Sequence, residues 1–314
     1  MREIQTLTRR VALLVALVGL SVSACGVSAG ETPVAAPVRP APRPVVTAPP
    51  SPPPSPPPSP LATSLLVGFS GAPGTQALGE MTGDLDAAGQ KLRRQIADFP
   101  HDRAVTPVVE LIATTAHREP GADGMYRSRA SDTTIRAYLA QARALHGLLL
   151  LNIQPGRADF LPEVQAYRQW LTQPDVGVAL DPEWAVDPGV VPGRTFGHTT
   201  GAELDTVATY LGDLAQHAHL PDKVMVYHQV AATVVRDETG LTPHPGVSAV
   251  KVVDGIGSPA AKTATWKTLM TTKPPAVLPG FKLFFHEDTR HSAPLMTPTQ
   301  VLDLTPHPAY ILYE

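Results

Sequence analysis

The sequence predicts a single α/β domain, a (β/α)8 TIM barrel, behind an export signal and a disordered proline-rich linker. From residue 61 onward, short β-branched apolar runs alternate with amphipathic stretches of about ten to twenty residues. This alternation is typical of βα units around a parallel sheet. Eight such runs fall within about 250 residues, which is the number of units and the length of a (β/α)8 barrel.

Residues 1–24 have the pattern of a lipoprotein signal peptide. Three arginines precede the apolar stretch 11–20, which is too short to span a bilayer comfortably. Residues 22–25 read V-S-A-C and resemble a bacterial lipobox, in which the cysteine is lipidated and becomes the new N-terminus. Cys25 is the only cysteine, so no intrachain disulfide can form. We predict a protein on the outer face of the cell membrane, anchored through Cys25, or secreted if ordinary cleavage follows Ala24.

Residues 25–60 hold the predicted lipidated cysteine and the linker. From about residue 32 the composition changes to Pro, Ala, Val and Ser, and the segment ends in a run of prolines. Such a sequence cannot bury a core and favours extended polyproline II. We interpret it as a stalk; a ligand for a proline-binding module is the alternative.

Residues 61–314 form the predicted barrel domain. The predicted strands are 64–70, 105–113, 148–154, 176–183, 223–229, 247–254, 281–288 and 309–313. The predicted helices are 84–99, 131–146, 160–171, 202–219, 260–270 and 297–304. Ser131 and Thr297 are suitable N-caps. The connection 231–245 has few apolar residues, so we expect its helix to be short or missing.

Two classes of ligand are not expected. The glycine-rich turn 68–74 lacks both the G-x-G-x-x-G spacing of dinucleotide-binding sheets and the P-loop lysine, which also disfavours an open doubly wound sheet. The chain has 25 Lys and Arg against 28 Asp and Glu, a formal net charge of −3, and no basic cluster interleaved with aromatics. Nucleic-acid binding is therefore not predicted. The sequence indicates no oligomeric state.

Strand alternation assigns polar side chains to the barrel mouth. Active sites of these barrels lie at the carboxyl ends of the strands, and residues i and i+2 share a face. In 176–183 the larger apolar residues face the helices, so Asp181 and Glu183 project inward. The same reasoning places these residues inward: Ser70, Glu110, Asn152, Gln154, Tyr227 and Gln229. In 247–254, either Lys251 or Asp254 faces in.

The sequence Asp181-Pro182-Glu183-Trp184 carries the predicted chemistry. Glycoside cleavage needs one protonated carboxyl and a second, ionised group, and nearby acids push each other's pKa values apart. An adjacent aromatic ring can stack on a sugar. We predict Glu183 as general acid and Asp181 as its partner, with Asp254 and His286 as further catalytic residues. The alternative is a strand end whose acids cap the next loop.

The nucleophile or water-activating base that complements Glu183 must come from Asp254, Glu287, Asp288 or Glu110, and the predicted seventh strand bears on this choice. Glu183 and Glu287 stand roughly where retaining glycosidases of the large barrel clan carry their acid/base and nucleophile. Alternation nevertheless places Glu287 on the helix-facing side and turns His286 and Asp288 inward. Pro182 also replaces the asparagine that precedes the acid/base in that clan.

The motif also resembles the D-x-E that ends strand four of chitinase-like barrels. In that family the glutamate protonates the leaving group, which implies the same role for Glu183. Asp181 and Glu183 match the last two acids of the family's motif, whereas Gly177 and Ala179 stand where its upstream acids would be.

Other mouth residues are candidates for substrate binding. They are Glu110, Gln154, Arg157, Trp184, Tyr227, Gln229 and Asp288. A Pro-Gly turn with a surface arginine is the alternative interpretation of the segment that contains Arg157. No metal motif such as H-E-x-x-H is present and no cofactor is predicted, although the mouth acids are compatible with a divalent cation.

Segments 153–161, 176–184 and 253–262 resemble actinobacterial lipoproteins and secreted proteins whose folded region resembles the glycoside-hydrolase-type barrel superfamily. The resemblance implies a carbohydrate or cell-wall polymer as partner. Two other hypotheses stay open. One is a phospholipase-type phosphodiesterase that uses His228 and His286 as its acid/base pair. The other is a non-catalytic sugar-binding or envelope scaffold protein.

Overall fold

A computed structural model describes residues 58–100 and 103–314. The predicted signal peptide, Cys25 and the linker up to residue 57 lie outside the described residues. The strands are β1 (Ser64–Gly71), β2 (Ala104–Ala116), β3 (Arg127–Arg129), β4 (Leu148–Ile153), β5 (Val176–Leu180), β6 (Thr199–Thr200), β7 (Lys223–Gln229), β8 (Val235–Arg236), β9 (Val247–Val253), β10 (Leu278–Leu283) and β11 (Tyr310–Tyr313).

Eight of these strands form a closed parallel barrel. Their order is β1-β11-β10-β9-β7-β5-β4-β2, and β2 pairs again with β1, so the sheet has no free edge along this circuit. β3 adds an antiparallel strand to the end of β2, and β6 pairs with β8 outside the barrel. The predicted (β/α)8 barrel is confirmed.

Helices cover the outside of the barrel. They are α1 (Pro60–Thr63), α2 (Leu85–Ala97), α3 (Asp132–Ala144), α4 (Phe160–Ala166), α5 (Arg168–Leu171), α6 (Gly201–His217), α7 (Pro259–Leu269) and α8 (Pro298–Leu302). Both predicted N-caps are confirmed: the Ser131 side chain accepts from Thr134 N, and Thr297 forms a capping box with Gln300. In the described part of the chain β7 and β9 are joined by β8 and a 3-10 turn without an α-helix, as expected. No described helix has the length and apolar character to cross a membrane.

The barrel strands separate two apolar layers. The layer between strands and helices is the larger, and the second fills the barrel interior. The interior side chains include Leu66, Val108, Leu150, Ala179, Val226, Val252, Tyr310 and Leu312. A Cβ at Gly68 would lie 2.7 Å from Val108 O and 3.2 Å from the Tyr310 hydroxyl, so glycine allows the close approach of both residues. The interior is therefore packed up to the level where polar side chains begin.

The predicted seventh strand was placed too late in the sequence. β10 spans Leu278–Leu283 and includes Pro279 and Gly280, residue types that usually interrupt a strand. The chain then turns, because the Asp288 carboxylate accepts from Phe284 N at 2.9 Å. Alternation consequently stops before His286, whose side chain is exposed in this turn.

The inward placement of Tyr227 was wrong. Val224 and Val226 fill the interior, so alternation turns Tyr227 toward the helices and His228 inward. The Tyr227 hydroxyl donates to Glu238 Oε1 at 2.5 Å, and Lys251 Nζ lies 2.7 Å from Glu238 Oε2. Lys251 is thus the helix-facing residue of β9.

Candidate functional site

Asp181 occupies the centre of a buried polar layer at the carboxyl ends of the barrel strands. Asn152 Nδ2 donates to its Oδ1 and Gln154 Nε2 to its Oδ2, both at 3.2 Å. Asp181 is 3% exposed. Burial raises the pKa of Asp181, while the positive charges of His228 and Lys282 oppose the rise. Two amide donors therefore fix the orientation of this carboxyl group.

His228 contacts three acids from three other strands or strand ends. Its Nε2 lies 3.1 Å from Glu110 Oε1 and 3.8 Å from Asp181 Oδ1, and its Nδ1 lies 3.6 Å from Asp254 Oδ2. Burial would lower the pKa of His228, but the charges of Glu110 and Asp181 raise it well above its usual value. The raised pKa favours the protonated, cationic form of the imidazole.

Glu110 is the main acceptor of this layer. It receives hydrogen bonds from Asn152 at 2.9 Å and from the Tyr310 hydroxyl at 2.9 Å, besides its contact with His228. Burial would raise its pKa, but the charge and hydrogen bond of His228 prevail and hold the pKa of Glu110 below its usual value. Glu110 is therefore ionised, and both of its carboxylate oxygens have hydrogen-bond partners.

Lys282 supplies the second cation of the layer. Its Nζ lies 2.7 Å from Glu314 Oε2, which also accepts from the Ser70 hydroxyl at 3.1 Å. Burial would lower the pKa of Lys282, but the surrounding acids, Glu314 first among them, raise it. The interior thus places two cations among its acids, which reduces the cost of burying the negative charges.

Glu183 lies above this layer, in the 3-10 turn Pro182–Trp184 that follows β5. Gly197 N donates to Glu183 O at 2.6 Å. The residue as a whole is partly exposed, but its Oε2 is buried and has no hydrogen-bond partner among the described residues. Burial, then the charges of Asp181 and Asp254, raise the pKa of Glu183 well above its usual value. The raised pKa favours the protonated form of this carboxyl group.

A cavity of about 420 Å³ opens beside Glu183. Its walls are Glu183, Trp184, Gly193, Arg194, Thr195 and Phe196. Phe196 is 61% exposed, and the other large apolar side chains that are exposed among the described residues are Met125 and Ile256. All three lie in loops that follow barrel strands, at the same end as Glu183. Exposed apolar side chains gathered at one end favour a ligand-binding face.

The structure brings together most of the predicted catalytic residues. Asp181, Glu183 and Asp254 are close enough for the charges of the two aspartates to act on Glu183. Glu110 and Gln154 contact the same layer, and Trp184 lines the cavity.

Other predicted residues lie elsewhere. His286 is exposed in the turn after β10, and Asp288 is occupied by Gly257 N, Phe284 N and an ion pair with Lys262 at 3.0 Å. Arg157 lies outside the cavity lining and donates to Val190 O.

Gln229 shares the outward alternation of Tyr227, and its amide donates to Ala231 O. Glu287 pairs with Arg290 at 3.1 Å in the turn that follows β10. The inward placement of Gln229, like that of Tyr227, is therefore corrected to the outer face of β7, while Glu287 lies away from the barrel interior, as alternation indicated.

Several residues of the layer were not predicted as site residues. These are Lys282, Tyr310 and Glu314, together with the central position of His228. The apolar alternation of Val224 and Val226 was the signal that could have turned His228 inward. Among residues 58–100 and 103–314, no group of three or more His, Cys, Asp or Glu side chains is arranged to hold a metal ion.

Fold and site together define a (β/α)8 barrel protein with a buried acid layer and, at its mouth, a carboxyl group whose pKa is raised. No protein-family model and no curated protein matches the chain. Among solved structures, a GH18 chitinase from Pseudoalteromonas aurantia is similar, with 12% sequence identity and a TM-score of 0.37 over 80% of this chain and 93% of that chain. At these values, the activity has to be argued from the residues of this chain.

Proposed function

We propose that this protein is a glycoside hydrolase of the cell envelope, with Glu183 as its general acid. The observation that carries the proposal is the Glu183 carboxyl group, whose Oε2 is buried and without a partner among the described residues, beside a cavity of about 420 Å³. Its raised pKa favours the protonated form that leaving-group protonation requires. Trp184 and Phe196 supply aromatic surface for stacking on sugar rings.

Asp181 and Asp254 complete the chemistry. Glu183 gives its proton to the glycosidic oxygen as the bond to the anomeric carbon breaks, and the bonding electrons leave with that oxygen. The oriented carboxyl group of Asp181 stabilises the positive charge that develops on the sugar ring. Asp254, whose Oδ1 is buried and without a partner in the described region, takes a proton from the water that bonds to the anomeric carbon. Proton exchange with solvent then restores both acids.

Glycan hydrolysis by the purified full-length chain tests the proposal. The substrates are neutral and acidic polysaccharides and isolated cell wall, and the readout is new reducing ends. Glu183→Gln should lower kcat by about 10²–10⁴-fold. Glu287→Gln is the matched control, because Glu287 lies in an exposed turn and pairs only with Arg290 among the described residues. Equal activity of Glu183→Gln and the wild type, or no cleavage of any substrate, would overturn the proposal.

The envelope location is part of the proposal and rests on residues 22–25. Cys25→Ser should move the protein from the membrane fraction to the medium, because the lipid acceptor is lost. A variant that stays in the membrane fraction would contradict lipid anchoring without touching the proposed activity.

The two-histidine alternative gains no support from the geometry. His228 is fully buried among three acids, and His286 is exposed in a turn. No hydrogen bond joins the two within the described ranges. A phosphodiesterase would need both imidazoles at the substrate.

A further inference from the structure

We propose that the glycan bound at this site is acidic, and that Arg194 binds the carboxylate of one of its sugar residues. This inference rests on the proposed function, since it names the substrate class for the same cavity. It starts from two residues that line the same cavity. The Glu183 carboxyl group lies near buried acids, whereas the Arg194 side chain has no ion-pair partner among the described residues.

Arg194 brings an uncompensated positive charge to the cavity wall. Its side chain is exposed, and it forms no ion pair or side-chain hydrogen bond with any residue in 58–100 and 103–314. Glu183 is not its partner, because the carboxyl group and the guanidinium are not within ion-pair distance, and burial and negative charges raise the pKa of Glu183. All donors of the guanidinium therefore remain available to a ligand.

Three other cations at this end of the barrel are already occupied. Lys282 pairs with Glu314 at 2.7 Å, and Lys262 pairs with Asp288 at 3.0 Å. Arg157 donates to Val190 O at 2.8 Å, and its guanidinium lies 3.9 Å from the centre of the Tyr126 ring. Within the described residues, Arg194 is the cation in the cavity lining that can meet an anion of the substrate.

The wall that carries Arg194 is held in place at several points. His198 N donates to Ala185 O at 2.9 Å, and Val186 N donates to Gly156 O at 2.8 Å. Gly193 lies against the Trp184 ring, since a Cβ there would come within 3.4 Å of it. A fixed wall reduces the ordering cost of binding, so the charge can contribute to affinity.

A carboxylate is the anion that best fits this geometry. A guanidinium presents a planar fork of donors that matches the two oxygens of a carboxylate. A uronic or other sugar acid offers this group next to a pyranose ring that can stack on Trp184 or Phe196. Within the buried layer, the charges of His228 and Lys282 offset part of the negative charge of the acids.

The acidic subsite is tested by comparing each acidic polymer with the same polymer after its carboxyl groups have been reduced, so that the sugar backbone stays the same. The purified full-length chain is assayed on polygalacturonate, alginate, hyaluronan and peptidoglycan glycan strands, each before and after reduction of its carboxyl groups to alcohols. We expect at least one acidic polymer to be cleaved with a kcat/KM about tenfold above that of its reduced form. Arg194→Gln should bring this ratio near one, mainly through KM. Arg168→Gln, an exposed arginine on α5 outside the cavity lining, should leave the ratio unchanged.

Titration of Glu183→Gln with the same polymer pairs, followed by tryptophan fluorescence, keeps the subsite testable without cleavage. Cleavage with equal kcat/KM for acidic and reduced polymers, or an Arg194→Gln variant with an unchanged ratio, would overturn the acidic subsite and leave the proposed hydrolase standing. Preference for a glucosamine polymer would also overturn it. Acidic preference in binding without any cleavage would support the subsite and overturn the hydrolase.

Discussion

The Nε2 atom of His228 lies 3.1 Å from Oε1 of Glu110, inside a barrel where both side chains are fully buried. The contact joins β7 to β2, which are separated in the barrel by β5 and β4. The same imidazole lies near Asp181 and Asp254, so one cation serves three carboxyl groups. Removing it leaves buried negative charge without compensation.

His228→Gln is expected to lower the free energy of unfolding by about 3–5 kcal/mol at pH 6. The folded-state pKa of His228 is raised, so its contribution is fully present below its ordinary value of 6.5 and is lost as the pH rises through the folded-state pKa. The difference from wild type should therefore shrink at alkaline pH. Urea unfolding across pH measures it. His286→Gln, in the exposed turn, should change stability by less than about 0.5 kcal/mol, and an effect of His228→Gln independent of pH would contradict a buried imidazolium.

Glu183→Gln is expected to stabilise the protein while it lowers kcat. The raised pKa of Glu183 means that the folded state is penalised as pH rises above the ordinary value of 4.5, because the unfolded chain loses that proton more readily. Glutamine carries no such penalty. We expect the free energy of unfolding to rise by about 0.5–2 kcal/mol at pH 8 and to match wild type below pH 4. Thermal unfolding at both pH values measures this, and a variant less stable than wild type at pH 8 would argue against a protonated Glu183.

The pH–rate profile should report the charges around Glu183. Since the negative charge of Asp181 raises the pKa of Glu183, Asp181→Asn should lower that pKa and move the alkaline limb of kcat/KM to lower pH. Asp254→Asn should move it in the same direction by a smaller amount, because Asp181 has the larger effect. Asp213→Asn, on the exposed face of α6, should leave the limb in place. A limb that moves to higher pH in Asp181→Asn would contradict the assignment.

The site residues could be predicted from strand alternation where the strands are regular and have two distinct faces. Alternation placed Asp181 and Glu110 correctly, because β5 and β2 are regular up to those positions and their apolar residues differ clearly between the two faces. It failed at Tyr227, since β7 is apolar on both faces and a buried tyrosine can satisfy its hydroxyl on either side.

The predicted seventh strand failed for another reason. Its end is set by Asp288, whose carboxylate binds the backbone four residues earlier, and by Gly257 from the neighbouring loop. Local sequence contains no sign of that long-range contact. The cavity wall that carries Arg194 depends on hydrogen bonds between residues more than ten positions apart, so the sequence could not have indicated it either.

Tyr227 and Tyr310 provide a matched pair that separates structure from chemistry. Each is a buried tyrosine whose hydroxyl donates to a glutamate, Tyr227 to Glu238 outside the barrel and Tyr310 to Glu110 inside it. Replacement of either by phenylalanine leaves a buried carboxyl group short of one donor and should cost about 1–3 kcal/mol of stability.

Only Tyr310→Phe alters the polar layer that surrounds Asp181. It should therefore change the pH profile of kcat/KM, while Tyr227→Phe should lower stability alone. Denaturant unfolding combined with pH–rate profiles measures both, and a profile altered equally by the two variants would show that the layer inside the barrel has no special part in the chemistry.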